Sequence, residues 1–292
     1  MQTNQDRSIG GSVLPHNNTS HKPFSGELLL DGPLPTPGRR HAVQFPRTDN
    51  HRLDQDEAYF YLVEDGERKR IRFHDYGEIY RRKGLYEQLF YSRLKCSSPK
   101  RMAEWLSKAC LEAGEPMQTM RVLDLGAGNG MMAEALQAYG VARIVGVDIL
   151  PEAKLAADRD RAGVYDTYYV ADLTAPGAKL QSELEEWEFD CLTTIAALGF
   201  GDIPPAAFIN CYNLVRDGGW VCFNIKTSFM SEADQTGFST LIRRMMLNEA
   251  IEIHRMIRYR HRFSIDGEPL SYYGIVGRKR GDIPETDYVS IA

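Results

Sequence analysis

The sequence lacks any run of the ~18–20 uninterrupted apolar residues that a membrane-spanning helix needs, so no such helix is expected. Its first residues, Met1 to Ser12, lack the basic start and apolar core of a secretory signal, and the chain reads as cytoplasmic. Cysteine is scarce: Cys96, Cys110, Cys191, Cys211 and Cys222 make an odd count of five with no CxxC pair. Neither a disulfide framework nor a thiolate zinc site follows from that pattern, and no metal site is expected. No sign of charge dominates, with 35 Lys and Arg against 40 Asp and Glu. A net charge of −5 speaks against a polyanion as the main partner. What is present is ordinary for a globular protein: 43% apolar and 26% charged over 292 residues, enough for one large domain or two smaller ones.

Aromatics are locally scarce as well. Residues 1–57 hold six of the fourteen prolines and only two of the thirty aromatics, Phe24 and Phe45. Such a segment cannot bury enough apolar surface to offset the entropy of ordering it, and it reads as a disordered tail. His16, His21, His41 and His51 lie there without a short ligand spacing and read as solvated surface.

The body opens with a hairpin signal. Residues 58–63 and 70–74 are β-prone runs joined through Glu64-Asp65-Gly66-Glu67, and Asp-Gly is a strong turn dipeptide. Two short helical patterns follow, around Tyr76 to Arg82 and around Leu85, Leu89 and Phe90. Together they predict a hairpin and helical cap over 58–97, ahead of a main domain over 98–292. Ser98 as N-cap and Pro99 at the first helical position open a helix carrying Met102, Leu106 and Cys110 on one face. From residue 120 strands and helices alternate, which predicts an α/β fold: a parallel sheet with helices on both faces. The runs Ile251–Ser264 and Leu270–Arg280, joined by a second Asp-Gly turn, predict a closing antiparallel hairpin.

The most informative segment is Val122-Leu-Asp-Leu-Gly-Ala-Gly-Asn-Gly130. An apolar strand ends in Asp124, and Gly126, Gly128 and Gly130 open the next helix, where missing Cβ atoms let backbone approach a ligand. The spacing is GxGxG and not GxGxxG, and a carboxylate aimed at the loop would repel a pyrophosphate. It suits a cationic ligand bearing an amino group and a sulfonium. A second strand ends in Asp148, an acid able to accept both hydroxyls of a ribose.

This segment resembles motif I of the class I S-adenosylmethionine-dependent methyltransferases. Val170-Ala-Asp172-Leu173 resembles the family's acidic motif, and Leu214-Val-Arg-Asp-Gly-Gly-Trp220 its turn before the fifth strand, with Arg-Asp in place of the usual Lys-Pro. The run Ala197–Pro205 looks most like the type 11/12 group, including the Williams–Beuren-region methyltransferase-like proteins. The resemblance implies a Rossmann-like, seven-stranded sheet with S-adenosyl-L-methionine as cofactor. It assigns cofactor contacts to Asp124, Gly126, Ala127, Gly128, Asp148, Ile149, Asp172, Leu173 and Ile195, with Asp172 at the adenine and the Ile195–Leu198 loop beside the methyl group. Asp190 stays structural in that pattern.

The acceptor is expected to be a small molecule offering an O, N or C nucleophile, in secondary metabolism, under the aromatic cap. Tyr80, Tyr86 and Tyr91 are the expected pocket residues, and His74 beside Asp75 is the base candidate, its tautomer fixed by that carboxylate. No Asn/Asp-Pro-Pro-Tyr follows the fourth strand, which disfavours an exocyclic amine acceptor. No Asp-Asp-Asn metal set is evident, although Asn224 lies late in the fifth strand. Met256, Arg258, Arg260 and Arg262 alternate onto one strand face, expected to be solvated. An RNA or protein methyltransferase, or a scaffold that binds the cofactor without turnover, remain the alternative readings.

Overall fold

The computed structural model describes residues 40–46, 55–231 and 233–284. Most of the expected tail, with His16, His21 and His51, lies outside the described residues. Part of it is ordered: strand β1 (Ala42–Gln44) pairs antiparallel with β2 (Tyr59–Glu64), which pairs with β3 (Glu67–Arg72). Three residues cannot hold a strand alone, so β1 exists because the β2 edge supplies its hydrogen bonds. His41 is held there by side-chain and backbone bonds to Gln88 and Lys83. The β2–β3 turn is Asp65-Gly66 alone, both at positive φ (50° and 83°), so the strands run up to the turn.

Helix α1 (Tyr76–Tyr80) and a widened helical turn at Glu87–Arg93 close over this sheet. Phe60, Leu62, Ile71 and Phe73 are fully buried between them, each on the order of 2 kcal/mol of apolar burial. The cap therefore has its own core.

After the cap comes α2 (Ser98–Glu112). Ser98 is not the N-cap: Ser97 holds that position, and the Ser98 hydroxyl instead lies 2.6 Å from both Tyr259 Oη and His261 Nδ1. A buried tertiary partner outcompetes the local cap. Then follow β4 (Arg121–Leu125), α3 (Met131–Gln137), β5 (Arg143–Asp148), α4 (Pro151–Asp160), β6 (Thr167–Val170), α5 (Ala178–Glu185), β7 (Phe189–Thr194), α6 (Pro205–Asn213), β8 (Val215–Lys226), α7 (Phe238–Leu247), β9 (Ile251–Phe263) and β10 (Pro269–Lys279).

Seven strands form one sheet in the order β6-β5-β4-β7-β8-β10-β9, parallel from β6 to β8 and antiparallel through β10 and β9. Strand periodicity sorts the core. Val122, Ile144, Cys191 and Trp220 face α2 and α3, while Leu123, Val145, Leu192 and Val221 face the layer of α6 and α7. Cys110, Cys191, Cys211 and Cys222 are buried, and all five cysteines are free. Asp190 is structural, accepting the Arg121 N–H (2.9 Å) and pairing with Arg216 (2.7 Å). Chain order reverses between β4 and β7, and in such sheets ligands bind outside the carboxyl ends of the strands at that point. No described helix is long and apolar enough to cross a membrane.

The basic face expected on β9 holds only in part. Arg258 and Arg260 are exposed, but Arg262 is buried. Leu270 pairs with Arg262 while Ser271 pairs with Arg260, so one extra residue, His261, bulges from β9 and turns Arg262 inward.

Candidate functional site

Strand β4 ends in a loop that only glycine permits at two places. A Cβ on Gly126 (φ +69°) would lie 2.7 Å from Ile203 Cδ1 and 2.8 Å from Ala197 Cβ. One on Gly128 (φ +54°) would lie 2.6 Å from the Tyr80 hydroxyl. The loop is pinned from β5: the Asp148 carboxylate accepts the Gly128 and Leu150 N–H groups, each at 2.9 Å. The next segment adds Tyr168, donating to the Gly128 carbonyl (2.8 Å), and Tyr165, whose single O–H is shared between Asp124 (2.8 Å) and the Ala127 carbonyl (3.1 Å). Neither tyrosine was anticipated from the sequence, where they precede and begin a short strand without a motif of their own.

All nine residues expected to contact the cofactor line one cavity of about 410 Å³, within the ~300–1,000 Å³ of small-molecule sites. His74, Tyr80, Tyr86 and Tyr91 line it too, so the cap forms its roof. Asp124 forms part of its floor. Its two oxygens accept from Thr193 Oγ1 (2.7 Å) and Tyr165 Oη (2.8 Å), and burial pushes its carboxyl from 3.8 up to about 6. Burial also raises Asp148, against the pull of its backbone hydrogen bonds. Asp172 differs: it is exposed, and Thr174 holds its carboxylate by backbone (2.8 Å) and hydroxyl (2.7 Å), which lowers its pKa.

Beside the glycine loop, β7 runs into Ala196 at φ +61°. Asn224, fully buried, holds that turn by accepting the Ala196 N–H (2.6 Å) while donating to Tyr259 Oη (2.7 Å). Both ends of Asn224 are thus engaged in holding the loop. Replacing Asn224 with Ala orphans both partners and is expected to lower stability by about 2 kcal/mol, read by chemical denaturation. An unchanged midpoint would contradict the assignment.

The sequence expectation about His74 is corrected by the structure. Asp75 does not serve it, because Arg72 takes that carboxylate through its N–H (2.9 Å) and guanidinium (2.8 Å). The acid on His74 is Asp202, from the loop before α6, with Oδ2 3.0 Å from Nδ1. Both residues line the main cavity.

A cationic adenosyl ligand can be tested against these groups. Asp124 is buried and Asp148 half-buried, with no Lys or Arg within ion-pair distance among the described residues, and no Lys or Arg lines the cavity. Asn129 Oδ1, on the same wall, is buried without a donor. Buried acceptors without cations fit a ligand bringing an ammonium, a sulfonium and ribose hydroxyls, and oppose a phosphate. The methyltransferase-domain family matches residues 95–266 of the chain. The chain belongs to that family. The family's cofactor is S-adenosylmethionine, so this methyltransferase domain carries the cofactor chemistry the cavity fits.

Among similar proteins, the ubiquinone biosynthesis O-methyltransferase of Thiobacillus denitrificans is 31% identical over 109 residues, 37% of this chain and 45% of that protein. Its counterpart in Burkholderia ambifaria is 29% identical over 114 residues, 39% and 47% of the two chains. The chain thus spans less than half the length of these curated relatives. Among solved structures, the N-methyltransferase NodS of Bradyrhizobium japonicum with S-adenosyl-L-homocysteine aligns over 71% of this chain and 97% of its own, at 14% identity and TM-score 0.47. Magnesium protoporphyrin IX methyltransferase of Synechocystis aligns over 62% and 79%, at 14% and 0.44. None of these relatives supports the narrower type 11/12 or Williams–Beuren-region resemblance.

The Asp124 carboxyl gives this methyltransferase domain a pH signature. Its folded value near 6 lies above the ordinary 3.8, so ionisation opposes stability above pH 6, and that stability returns as pH falls through 6 toward 4. Ligand affinity runs the other way, because the charge that favours a cation is lost. S-adenosylhomocysteine affinity is expected to fall up to about tenfold from pH 7.5 to 5 in the wild type. The Asp124→Asn profile is expected to be flatter by calorimetry, and identical profiles would remove Asp124 from ligand binding.

Proposed function

We propose that the chain transfers a methyl group from S-adenosylmethionine to a hydroxyl of a small-molecule acceptor held between the glycine loop and the cap. One observation carries the reading: a roofed cavity joins the cation-free carboxylates of Asp124 and Asp148 to the His74–Asp202 pair. Bound there, the cofactor supplies an activated methyl whose bond to sulfur breaks with its electron pair left on sulfur. Asp148 would hold the cofactor's ribose end, and Asp124 and Asn129 its amino-acid end. Asp202, an acceptor only, keeps the proton of neutral His74 on Nδ1, which leaves Nε2 to take the proton of the acceptor hydroxyl. The cap excludes water, and the fixed loops hold the reacting groups in line.

The cap also bears on the polymer alternative. Lys69, Arg72, Arg81 and Arg82 are each paired with Glu78, Asp75, Glu152 or Glu64, and Arg68 and Arg70 lie over the Tyr61 and Tyr59 rings, which lowers the cationic character of this face. Calorimetry with S-adenosylmethionine and S-adenosylhomocysteine tests the reading, and binding of neither would overturn it. Incubation with methyl-labelled cofactor and an extract of the source cells then separates the alternatives. A small labelled product is expected; label in RNA or protein would favour those acceptors, and binding without transfer would favour the scaffold.

A further inference from the structure

Among the described residues, Arg262 is a cation buried without an acid. It is 4% exposed, and among the described residues no carboxylate lies within 4 Å of its guanidinium. Its one hydrogen bond among the described residues is local, from Nη1 to the Phe263 carbonyl at 3.0 Å. The guanidinium otherwise lies over aromatic faces, 5.9 Å from the Phe73 ring centre and 5.7 Å from that of Phe90. Cation–π contact offsets part of the desolvation of a buried charge but provides no acceptor for its remaining N–H groups.

The bulge at His261 puts Arg262 in this position, and the chain fixes the bulge from outside the sheet. Ser97 N–H donates to the His261 carbonyl (3.1 Å), and Phe263 N–H donates to the Leu94 carbonyl (2.7 Å). A strand that simply continued its alternation would have sent Arg262 to solvent with Arg258 and Arg260. Bulges of this kind concentrate beside active sites, where they re-aim a side chain.

Arg262 lines a small cavity of about 20 Å³ that shares His74, Tyr76, Tyr86, Ala196 and Asp202 with the main one. The two spaces therefore meet at the His74–Asp202 pair, with the glycine loop on one side and the buried guanidinium on the other. The shared wall is aromatic, with Tyr76, Tyr86 and His74 stacked or tilted against their neighbours.

Resting on the methyl-transfer reading above, we propose that Arg262 is the carboxylate anchor of the acceptor site. The acceptor class is then a small aromatic hydroxy acid, its hydroxyl at His74 and its carboxylate toward the guanidinium. Arginine's planar fork matches a carboxylate in two parallel hydrogen bonds, which supplies orientation together with affinity. The bond also sets specificity, because a neutral analogue would leave the cation buried and unanswered.

The full-length chain saturated with S-adenosylhomocysteine is titrated with hydroxybenzoate, dihydroxybenzoate and hydroxyphenylacetate, each paired with its carboxamide. At least one acid is expected to bind about tenfold or more tighter than its amide. Arg262→Gln is expected to erase that difference, and Arg262→Lys to keep part of it, because charge survives while the fork does not. Unchanged S-adenosylhomocysteine affinity in both variants reports an intact fold. Acids and amides binding alike to the wild type would overturn the anchor, as would an acid preference that persists in Arg262→Gln. Failure of S-adenosylhomocysteine itself to bind would instead overturn the methyl-transfer reading, so the two failures are distinct.

Discussion

Replacing His74 with Ala is expected to lower turnover by about 10²- to 10⁴-fold while leaving S-adenosylhomocysteine affinity within about twofold. The size follows from what a positioned base contributes when a hydroxyl must lose its proton, and the selectivity from where His74 sits. It stands on the cap, its side chain only 11% exposed, against Tyr76 and Phe200 and not against the glycine loop. Asp202→Asn is expected to share most of the defect, because an amide can donate to Nδ1 and so move the ring proton to the nitrogen that must stay free. Initial rates with labelled cofactor, set beside calorimetry on the same preparations, separate the two quantities. If both variants turn over at the wild-type rate, the dyad has no part in the reaction and the acceptor needs no base.

What the sequence made legible was local. Asp124, Gly126, Gly128 and Asp148 lie within short stretches where a strand ends and a helix begins, so spacing alone carries their geometry. The sheet was legible for the same reason: alternation of strand and helix restricts topology before any contact is known. The dyad was not. His74 and Asp202 are 128 positions apart, and the neighbour that looked like its partner, Asp75, is taken by Arg72. Arg262 was misplaced because face assignment by alternation assumes unbroken pairing, and the bulge exists only once β9 pairs with β10. Ser98 has the chemistry of a cap, and the hydroxyl went to His261 and Tyr259 because burying those groups unpaired would cost more than a cap returns. Each miss is a residue whose role depends on a partner distant in sequence.

Replacing Asp148 with Ala is expected to weaken S-adenosylhomocysteine binding by about 10- to 150-fold, the equivalent of losing a charged acceptor worth ~1.5–3 kcal/mol. A carboxylate offers about four lone-pair sites, and Gly128 and Leu150 take two of them. Asp148 also lines the cavity, where the carboxylate's remaining acceptor capacity can meet ribose hydroxyls. Part of the loss will come from the loop, since Gly128 N–H is freed and the turn at φ +54° loses its restraint. Asp148→Asn separates the two contributions. Its carbonyl can still accept one N–H, so loop order is partly kept while the charge and the second pair of acceptor sites are lost. An Asn variant as weak as the Ala variant places the effect in the ribose contact; one close to wild type places it in the loop. Affinity within twofold of wild type in the Ala variant would remove Asp148 from the cofactor site altogether, and with it the reason for an acid at the end of β5.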